Sequence, residues 1–260
     1  MTKRSQLEHT PTTGVVLSGA ASGIGRACAL ALAEAGRPVA CWDLDRTGVE
    51  KTAAEATDRF GVASHFAALD VRETARFAPL VDEAREALGS IGGFVHAAGV
   101  SRAEPVEQLD EEVWDAVLDV NLRAYPLLVR ALVPDLAANA GSAVVGIASI
   151  NAILGNGANP AYGASKAGLL GASRSMADRL APQGIRVNSV CPGYVKTPMI
   201  LPSIEAMPEL GESMVRQSML GRMAEPEEIA RAVRFLLSDD ASFITAEQLV
   251  VDGGVTRSQH

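Results

Sequence analysis

The stretch GVVLSGAASGIG, residues 14–25, joins a short apolar strand pattern to a helical pattern through a turn that contains Gly19, Gly23 and Gly25. Glycine permits a tight turn there and keeps side chains away from the backbone N–H groups that begin the helix. A helix N-terminus of this kind suits a pyrophosphate. The spacing is GxxxGxG rather than GxGxxG, so the general dinucleotide-binding fingerprint is not matched letter for letter. We predict that this stretch opens a βαβ unit with a phosphate-binding turn.

Short apolar runs alternate with amphipathic segments from Gly14 to about Val251, with no repeat or linker between them. This alternation is typical of a doubly wound α/β sheet with helices on both faces. Strands are predicted near 14–18, 38–42, 64–69, 92–97, 142–148, 185–190 and 247–251. Helices are predicted near 24–35, 46–59, 73–88, 110–137, 160–181 and 226–237. The expected fold is one Rossmann-type domain with a mostly parallel seven-stranded sheet.

Two segments fall outside this alternation. Residues 1–13 are polar and are predicted to form a tail before the domain, which spans residues 14–260. Residues 197–222 are rich in Pro, Met and Leu and are predicted to form a mobile apolar lid over a substrate site. An ordinary surface excursion is the alternative for this second segment.

Composition limits the possible partners. The 260 residues are 48% hydrophobic and carry a formal net charge of −8, which argues against nucleic acid or anionic membranes as partners. Residues 1–13 lack the apolar core of a signal peptide, and no later segment has the roughly 18 uninterrupted apolar residues of a membrane span. We therefore expect a soluble, cytoplasmic protein that acts on small molecules.

The cysteines and histidines show no metal-binding pattern. Cys28, Cys41 and Cys191 are widely spaced among apolar residues, which is typical of small core side chains and not of a disulfide framework. The four histidines are scattered, without HExxH or CxxC spacing near them. No metal site is expected.

Asp43 ends the second predicted strand, 18 residues after Gly25. A carboxylate at this place can accept hydrogen bonds from the ribose hydroxyls of adenosine, and it repels a 2′-phosphate. The glycine turn has no basic residue before Arg26, and Arg46 is interpreted as a solvated residue of the next helix. These features favour NAD(H) over NADP(H).

Two further strand ends belong to the same predicted edge of the sheet. Asp70 and Val71 follow the third strand, and the fourth ends in His96-Ala97-Ala98-Gly99. Small side chains at a strand end let a flat cofactor lie close to the sheet. A helix cap for Asp70, and plain tight packing for the small residues, are the alternatives.

Tyr162 and Lys166 stand four residues apart in a helical pattern, so they share one face of the helix. A lysine cation about 4 Å from a phenol is worth about 4 kcal/mol at an effective dielectric near 20, enough to lower a tyrosine pKa by several units. The pair therefore indicates proton transfer to an alcohol or carbonyl oxygen. A solvated helix face that carries both residues by chance is the alternative.

Two polar residues are expected to join this pair. Ser149 closes the fifth predicted strand, 13 residues before Tyr162, and a Gly/Asn-rich loop between them can fold back over the strand end. Asn121 lies in an apolar helical stretch, where a buried amide needs partners. It either bridges a helix break or holds a water in a proton path.

The motifs SGAASGIG, YGASK and VCPGYVKTPM, together with Asp43, Asn121 and Ser149, resemble those of the short-chain dehydrogenase/reductase family with a Ser-Tyr-Lys centre. The resemblance extends from Gly14 to the VVDGG stretch at 250–254. It implies that Tyr162 is the general acid and base and that Lys166 lowers its pKa and binds the nicotinamide ribose. Ser149 would orient the substrate oxygen, and Asn121 would anchor a water relay.

The resemblance also implies how the cofactor is bound. Thr197 and the backbone after Pro192 would fix the carboxamide. The expected cofactor-binding residues are Gly19, Ser22, Gly23, Ile24, Gly25, Asp43, Asp70, Val71, Ala98, Gly99, Tyr162, Lys166, Pro192, Gly193, Val195 and Thr197. Two departures from the family stand out: its usual Asn-Asn-Ala-Gly is His96-Ala97-Ala98-Gly99 here, and its usual Thr is Ser18.

The expected function is NAD(H)-dependent interconversion of a secondary alcohol and a ketone. The family resemblance implies that the protein is a homotetramer. Apolar residues predict an apolar substrate, and the candidates are Ile150, Ile153, Leu154, Met199 and Ile200. The first alternative is an NADPH-dependent 3-oxoacyl-(acyl-carrier-protein) reductase, against which the uncharged segment 137–141 and Gln183 argue. The second is a non-catalytic NAD-binding protein, although Asn121, Ser149, Tyr162 and Lys166 are all present.

Overall fold

The computed structural model describes residues 11–257, so the first ten residues of the predicted polar tail lie outside the described part. Its strands form one sheet in the order β3-β2-β1-β4-β5-β6-β7, and every neighbouring pair is parallel. The strands are β1 Gly14–Ser18, β2 Val39–Asp43, β3 Ser64–Ala68, β4 Ile91–His96, β5 Ala143–Ile147, β6 Arg186–Pro192 and β7 Gln248–Val251. The predicted Rossmann-type fold is confirmed, with a sheet that is parallel throughout.

The α-helices of the described residues connect these strands. They are α1 Gly23–Glu34, α2 Arg46–Phe60, α3 Phe77–Leu88, α4 Glu111–Leu118, α5 Ala124–Ala138, α6 Pro160–Leu180, α7 Leu201–Ala206, α8 Pro208–Gln217 and α9 Pro226–Leu236. No helix among residues 11–257 combines the length and the apolar character needed to cross a membrane.

Side chains of each strand alternate between two buried clusters on the two faces of the sheet. Val16 and Trp42 pack in the cluster that includes α3, α5 and α6. Val15, Leu17 and Cys41 pack in the cluster that includes α1, α2 and α9. The apolar strand residues thus pack against helices on both faces of the sheet.

The strand order reverses at β1, which lies between β2 and β4. Ser18 at the end of β1 is in register with His96 at the end of β4. In open α/β sheets, ligands bind outside the carboxyl ends of the strands at such a switch point. The fold therefore places a crevice beside the glycine turn that follows β1.

The prediction of a single helix near 110–137 is wrong, because the helix is interrupted by a π-turn. The chain leaves α4 at Leu118, makes a π-turn over Asp119–Arg123, and only then enters α5. Asn121 lies inside this turn and is fully buried. A π-turn inserts an extra residue into a helix and is frequent at functional sites, because it redirects the side chains that it contains.

Two other predicted boundaries also differ. The helix predicted near 73–88 begins with a 3-10 turn over Thr74–Arg76 before α3. Residues 197–222, for which no helix was predicted, contain α7 and α8. A parallel bridge between Val195 and Ala224 closes the base of this segment. Pro208 at the first turn of α8 is a helix-start signal that was available in the sequence.

The cysteines occupy the core, as expected for small apolar side chains. Cys28, Cys41 and Cys191 are fully buried and unpaired. Among the described residues, no three His, Cys, Asp or Glu side chains cluster as they would around a metal ion.

Candidate active site

Helix α6 brings Tyr162 and Lys166 together within its first two turns, after Pro160 begins the helix. Lys166 is only 3% exposed, and its Nζ atom donates to the carbonyl of Ile147 at 2.8 Å. The same Nζ atom lies 5.7 Å from the centroid of the Tyr162 ring. The pair therefore does not sit on a solvated helix face, the alternative left open by the sequence.

Burial controls the acidity of both groups. It lowers the pKa of Lys166 from 10.5 to about 8, because the charged ammonium loses water. It raises the pKa of Tyr162, and the hydroxyl of Ser149 only partly opposes this effect. Lys166 is not among the groups that shift the Tyr162 pKa here, so the lowering of this pKa by Lys166 stays a prediction. The phenol is protonated at neutral pH, as a proton donor to a carbonyl oxygen must be.

Ser149 lies two residues beyond the end of β5 and is largely buried. Its Oγ atom accepts the backbone N–H of Asn151 at 3.1 Å, which starts a short 3-10 helix over Ile150–Ala152. This bond leaves the hydroxyl proton available. A hydrogen bond from Ser149 opposes the rise of the Tyr162 pKa, so the two side chains belong to one candidate site.

Asn121 ties the loop after β4 to α6. Its Oδ1 atom accepts the N–H of Val100 at 2.8 Å, and its amide donates to the Val100 carbonyl and to Ser165 Oγ, both at 3.0 Å. The Ser165 hydroxyl in turn donates to the carbonyl of Tyr162 at 2.8 Å. Both N–H bonds of the amide are used, so the side chain acts as a clamp. Ser165 was missed from the sequence, although it lies inside the YGASK motif.

The glycine turn packs directly against the end of β4. Gly19 has a φ of +76°, and a Cβ atom on it would lie 2.4 Å from the Ala98 nitrogen. A Cβ atom on Gly25 would lie 1.9 Å from the Gly19 carbonyl oxygen. Ser22 precedes α1 without a side-chain cap, so it leaves the first N–H groups of the helix open. This cradle fits a phosphate group.

Other predicted cofactor residues lie around the same turn. Ile24 is half-buried in the first turn of α1, and Gly99 lies where a Cβ atom would come 3.4 Å from Lys166 Nζ. The Thr197 methyl group lies against Gly23, at 3.3 Å from the position of a Cβ atom there. The structure thus brings the segment after β6 over the start of α1.

The residues between β6 and Thr197 hold that segment to the sheet. Pro192 ends β6, and Gly193 donates its N–H to the carbonyl of Val251 at 3.0 Å. Val195 is buried and forms the bridge to Ala224.

Asp43 lies beside the glycine turn. Its carboxylate accepts the backbone N–H groups of Ala21 and Asp45, each at 3.1 Å. Arg46 is exposed, and its guanidinium stacks over the Phe66 ring at 5.6 Å instead of being simply solvated. The fixed charge next to the turn is thus a carboxylate, while the nearest arginine on α2 is held against an aromatic ring.

Asp70 already has a charged partner, and Val71 is buried. The Asp70 carboxylate binds the guanidinium of Arg72, with 2.6 Å between Oδ2 and Nη2, and Arg72 lowers the pKa of Asp70. It also accepts the backbone N–H of Arg72. Val71 is buried in the core. A cofactor contact from Asp70 would require its carboxylate to share or leave Arg72.

The five predicted substrate residues differ in exposure. Ile150 is buried and Ile200 is half-buried. Ile153, Leu154 and Met199 are exposed to 43%, 38% and 48%. Exposed apolar side chains beside a crevice are available to an apolar ligand.

The crevice at the switch point has an open helix N-terminus and a buried Tyr–Lys pair beside it. These features are typical of an enzyme that uses a dinucleotide. Comparison with known proteins supports this class. A family model described as "Enoyl-(Acyl carrier protein) reductase" matches residues 19–256. The chain belongs to the short-chain dehydrogenase/reductase family. Membership places it among the oxidoreductases and implies a nicotinamide cofactor.

Individual relatives cover nearly the whole chain. Cyclohexanol dehydrogenase of Acinetobacter sp. is 38% identical over 242 residues, 93% of this chain and 94% of the relative. A 3-oxoacyl-(acyl-carrier-protein) reductase of Thermotoga maritima is 34% identical over 241 residues, 92% of this chain and 96% of the relative. The crystal structure of levodione reductase superimposes with a TM-score of 0.90 at 31% identity, and covers 96% of this chain and 100% of that one.

Proposed function

We propose that the protein is an NAD(H)-dependent oxidoreductase that interconverts a secondary alcohol and a ketone on a small, largely apolar substrate. The observation that carries the proposal is the convergence of Ser149, Tyr162 and Lys166 beside the switch-point crevice. Relatives named cyclohexanol dehydrogenase and cyclopentanol dehydrogenase, 38% and 34% identical, support an alcohol substrate.

The side chains supply the proton transfer. Tyr162 donates its phenolic proton to the carbonyl oxygen during reduction, and in the reverse direction its phenolate form takes up the hydroxyl proton of the alcohol. The Ser149 hydroxyl hydrogen-bonds the same oxygen. Lys166, with a pKa of about 8, exchanges protons near neutral pH and so can restore the protonation state of Tyr162. When bound, the nicotinamide cofactor supplies the hydride acceptor or donor.

The surroundings of the site favour an uncharged substrate. Ile153, Leu154 and Met199, which lie close in the chain to the proposed site residues, are exposed apolar side chains. Lys196 forms a salt bridge with Glu225 at 2.6 Å, so its charge is already compensated. A substrate carboxylate or phosphate would find less support here than a hydrocarbon ring or chain.

The choice of NAD(H) rests on Asp43, and Asp43→Asn tests it. A 2′-phosphate beside this carboxylate would meet like-charge repulsion, about 1 to 2 kcal/mol after screening at a half-exposed position. We expect the ratio of kcat/KM for NAD to that for NADP to fall about tenfold in the variant. Initial rates with each cofactor at fixed substrate give this ratio.

Asp58→Asn is the matched control, because it removes an exposed carboxylate near the other end of α2. It should leave the ratio unchanged. A wild-type protein that prefers NADP, or an Asp43 variant with the wild-type ratio, would contradict the assignment.

A second candidate function has a specific observation in its favour. The 3-oxoacyl-(acyl-carrier-protein) reductases of Thermotoga maritima and Staphylococcus aureus are 34% and 32% identical to this chain. Asp43, the uncharged segment 137–141 and Gln183 argue against it, because an acidic carrier and a 2′-phosphate both call for basic residues.

A substrate panel separates the two functions. Cyclohexanol, cyclopentanol and 2-butanol are assayed with NAD and NADP, and 3-oxoacyl carrier protein with NADH and NADPH. We expect the highest kcat/KM for a cyclic alcohol with NAD. A higher value for the acyl carrier protein with NADPH would replace the proposal with the second function.

We further propose that the enzyme is a cytoplasmic homotetramer. The family resemblance supports this assembly, and Phe243, just before the edge strand β7, is a fully exposed aromatic side chain that a partner subunit would cover. Light scattering is expected to give the mass of four chains.

A further inference from the structure

Helices α7 and α8 form a two-helix unit, residues 201–217, that stands apart from the rest of the domain. Among the helices and strands of residues 11–257, each of the two packs extensively only against the other. Gly211 of α8 allows this contact, because a Cβ atom there would lie 2.8 Å from Ile204 Cγ2. All of α7 except Ile204 is exposed. The position of the α7–α8 unit therefore depends largely on the chain at its two ends.

The chain that enters the α7–α8 unit is fixed to the domain. The carbonyl of Tyr194 accepts the N–H of Ala224 at 2.9 Å, and the N–H of Lys196 donates to the Ala224 carbonyl at 2.9 Å. The Thr197 side chain then lies against Gly23 of the glycine turn. The backbone of Tyr194 is thus held in place relative to the glycine turn and the sheet.

Tyr194 reaches from this fixed backbone to the far end of the α7–α8 unit. Its hydroxyl donates to Gln217 Oε1 at 2.9 Å, and Gln217 is the last residue of α8. The other half of the Gln217 amide is also used, since Nε2 donates to Ser213 Oγ at 3.1 Å. Burial raises the pKa of Tyr194, so the phenol keeps the proton that it donates. One hydrogen bond therefore joins the chain before α7 to the end of α8.

This hydrogen bond has no counterpart elsewhere in the segment. Among the described residues, no other side-chain hydrogen bond or ion pair links residues 198–217 to the rest of the chain. The ion pair between Glu212 and Arg216 stays within α8. A single polar contact of this kind can control the position of a helical unit that has few other contacts.

We propose that Tyr194 and Gln217 are positioning residues whose hydrogen bond holds the α7–α8 unit beside the crevice. Met199 and Ile200, two of the proposed substrate residues, directly precede α7. Movement of the unit would displace them and weaken substrate binding, while the proton transfer by Tyr162 would be unaffected. The inference rests on the proposed function only where turnover is the readout.

Two variants remove the bond from its two sides. Tyr194→Phe keeps the ring and removes the donor, and Gln217→Leu removes the acceptor. Hydrogen exchange of peptides that cover α7 and α8 reports the position of the unit without any turnover. We expect about fivefold faster exchange there in each variant, which is the size of effect typical of one neutral hydrogen bond. The double variant should exchange no faster than either single variant, because all three lack the same bond.

Kinetics supply the second readout. With NAD and the best alcohol of the substrate panel, KM should rise about fivefold in both single variants, while kcat stays within about twofold of the wild type. Glu212→Gln is the matched control, because it removes an ion pair that lies inside α8. It should leave KM and the exchange of α7 within about twofold of the wild type.

Wild-type exchange in both single variants would overturn the proposal, and so would additive effects in the double variant. Faster exchange throughout the sheet would also overturn it, because Tyr194 would then be a packing residue only. Faster exchange of α7 and α8 with an unchanged KM would overturn the role in substrate binding. If the wild-type protein oxidises no secondary alcohol but the exchange pattern is found, the proposed function fails and the positioning of the α7–α8 unit by Tyr194 stands.

Discussion

Replacing Tyr162 with phenylalanine is expected to lower kcat for alcohol oxidation by about a thousandfold, because general acid–base catalysis by one side chain typically contributes between about a hundredfold and ten-thousandfold. Phenylalanine keeps the ring that packs beside Lys166 and removes only the hydroxyl near Ser149. The Kd for NADH should therefore stay within about twofold of the wild type. Steady-state kinetics and fluorescence titration measure the two quantities.

Tyr125→Phe is the matched control for this variant. It removes a buried phenol whose oxygen lies 3.2 Å from Ser173 Oγ, away from the proposed reacting atoms. Its kcat should remain within about threefold of the wild type. A Tyr162→Phe enzyme as active as this control would refute the assigned proton transfer.

Lys166→Met is expected to damage chemistry and to stabilise the fold. The loss of the ammonium beside Tyr162 and the crevice should lower kcat about a hundredfold and raise the Kd for NADH about tenfold. The fall of the Lys166 pKa from 10.5 to about 8 corresponds to about 3 kcal/mol of folding free energy that the buried charge opposes. After allowance for the lost hydrogen bond to Ile147, we expect the free energy of unfolding of the Lys166→Met variant to exceed that of the wild type by about 2 kcal/mol at neutral pH.

The stabilisation should depend on pH in a defined direction. Between about pH 8 and 10.5, the unfolded wild-type chain keeps the Lys166 proton that the folded chain has lost, so the wild-type free energy of unfolding rises with pH from this group. The variant lacks that rise, and its advantage should shrink across this window. Urea unfolding at several pH values measures the difference.

Lys51→Met is the control, because Lys51 is exposed on α2. It should change neither kcat nor the pH dependence of unfolding. An advantage of the Lys166 variant that stays constant across the window would show that the buried ammonium does not oppose folding.

The sheet could be predicted from the sequence because its strands are short apolar runs bounded by turn residues. The predicted β1 coincides with Gly14–Ser18, and the predicted β2 is displaced by one residue from Val39–Asp43. The π-turn could not be predicted in this way, since the apolar periodicity continues through Asp119–Arg123. Only Asn121, a polar residue in an apolar helical stretch, indicated from the sequence that the helix is interrupted.

The positions of the candidate site residues followed from motif spacing, whereas their electrostatics did not. Proximity of Tyr162 to Lys166 was predictable from a four-residue interval on one helix. The directions of their pKa changes depend on burial, which is set by β5, the loop after β4 and α6 together. Apolar character predicted Ile150 and Met199 equally as substrate residues, yet Ile150 is buried and Met199 is exposed.

The most direct test of the proposed reaction uses cyclohexanol that carries deuterium on the carbinol carbon, with NAD as the cofactor. Mass spectrometry then measures the deuterium content of the reduced nicotinamide and the amount of ketone produced. We expect one deuterium in the nicotinamide for each ketone formed. Reduced nicotinamide without deuterium, or no ketone from this or any other secondary alcohol in the panel, would contradict it.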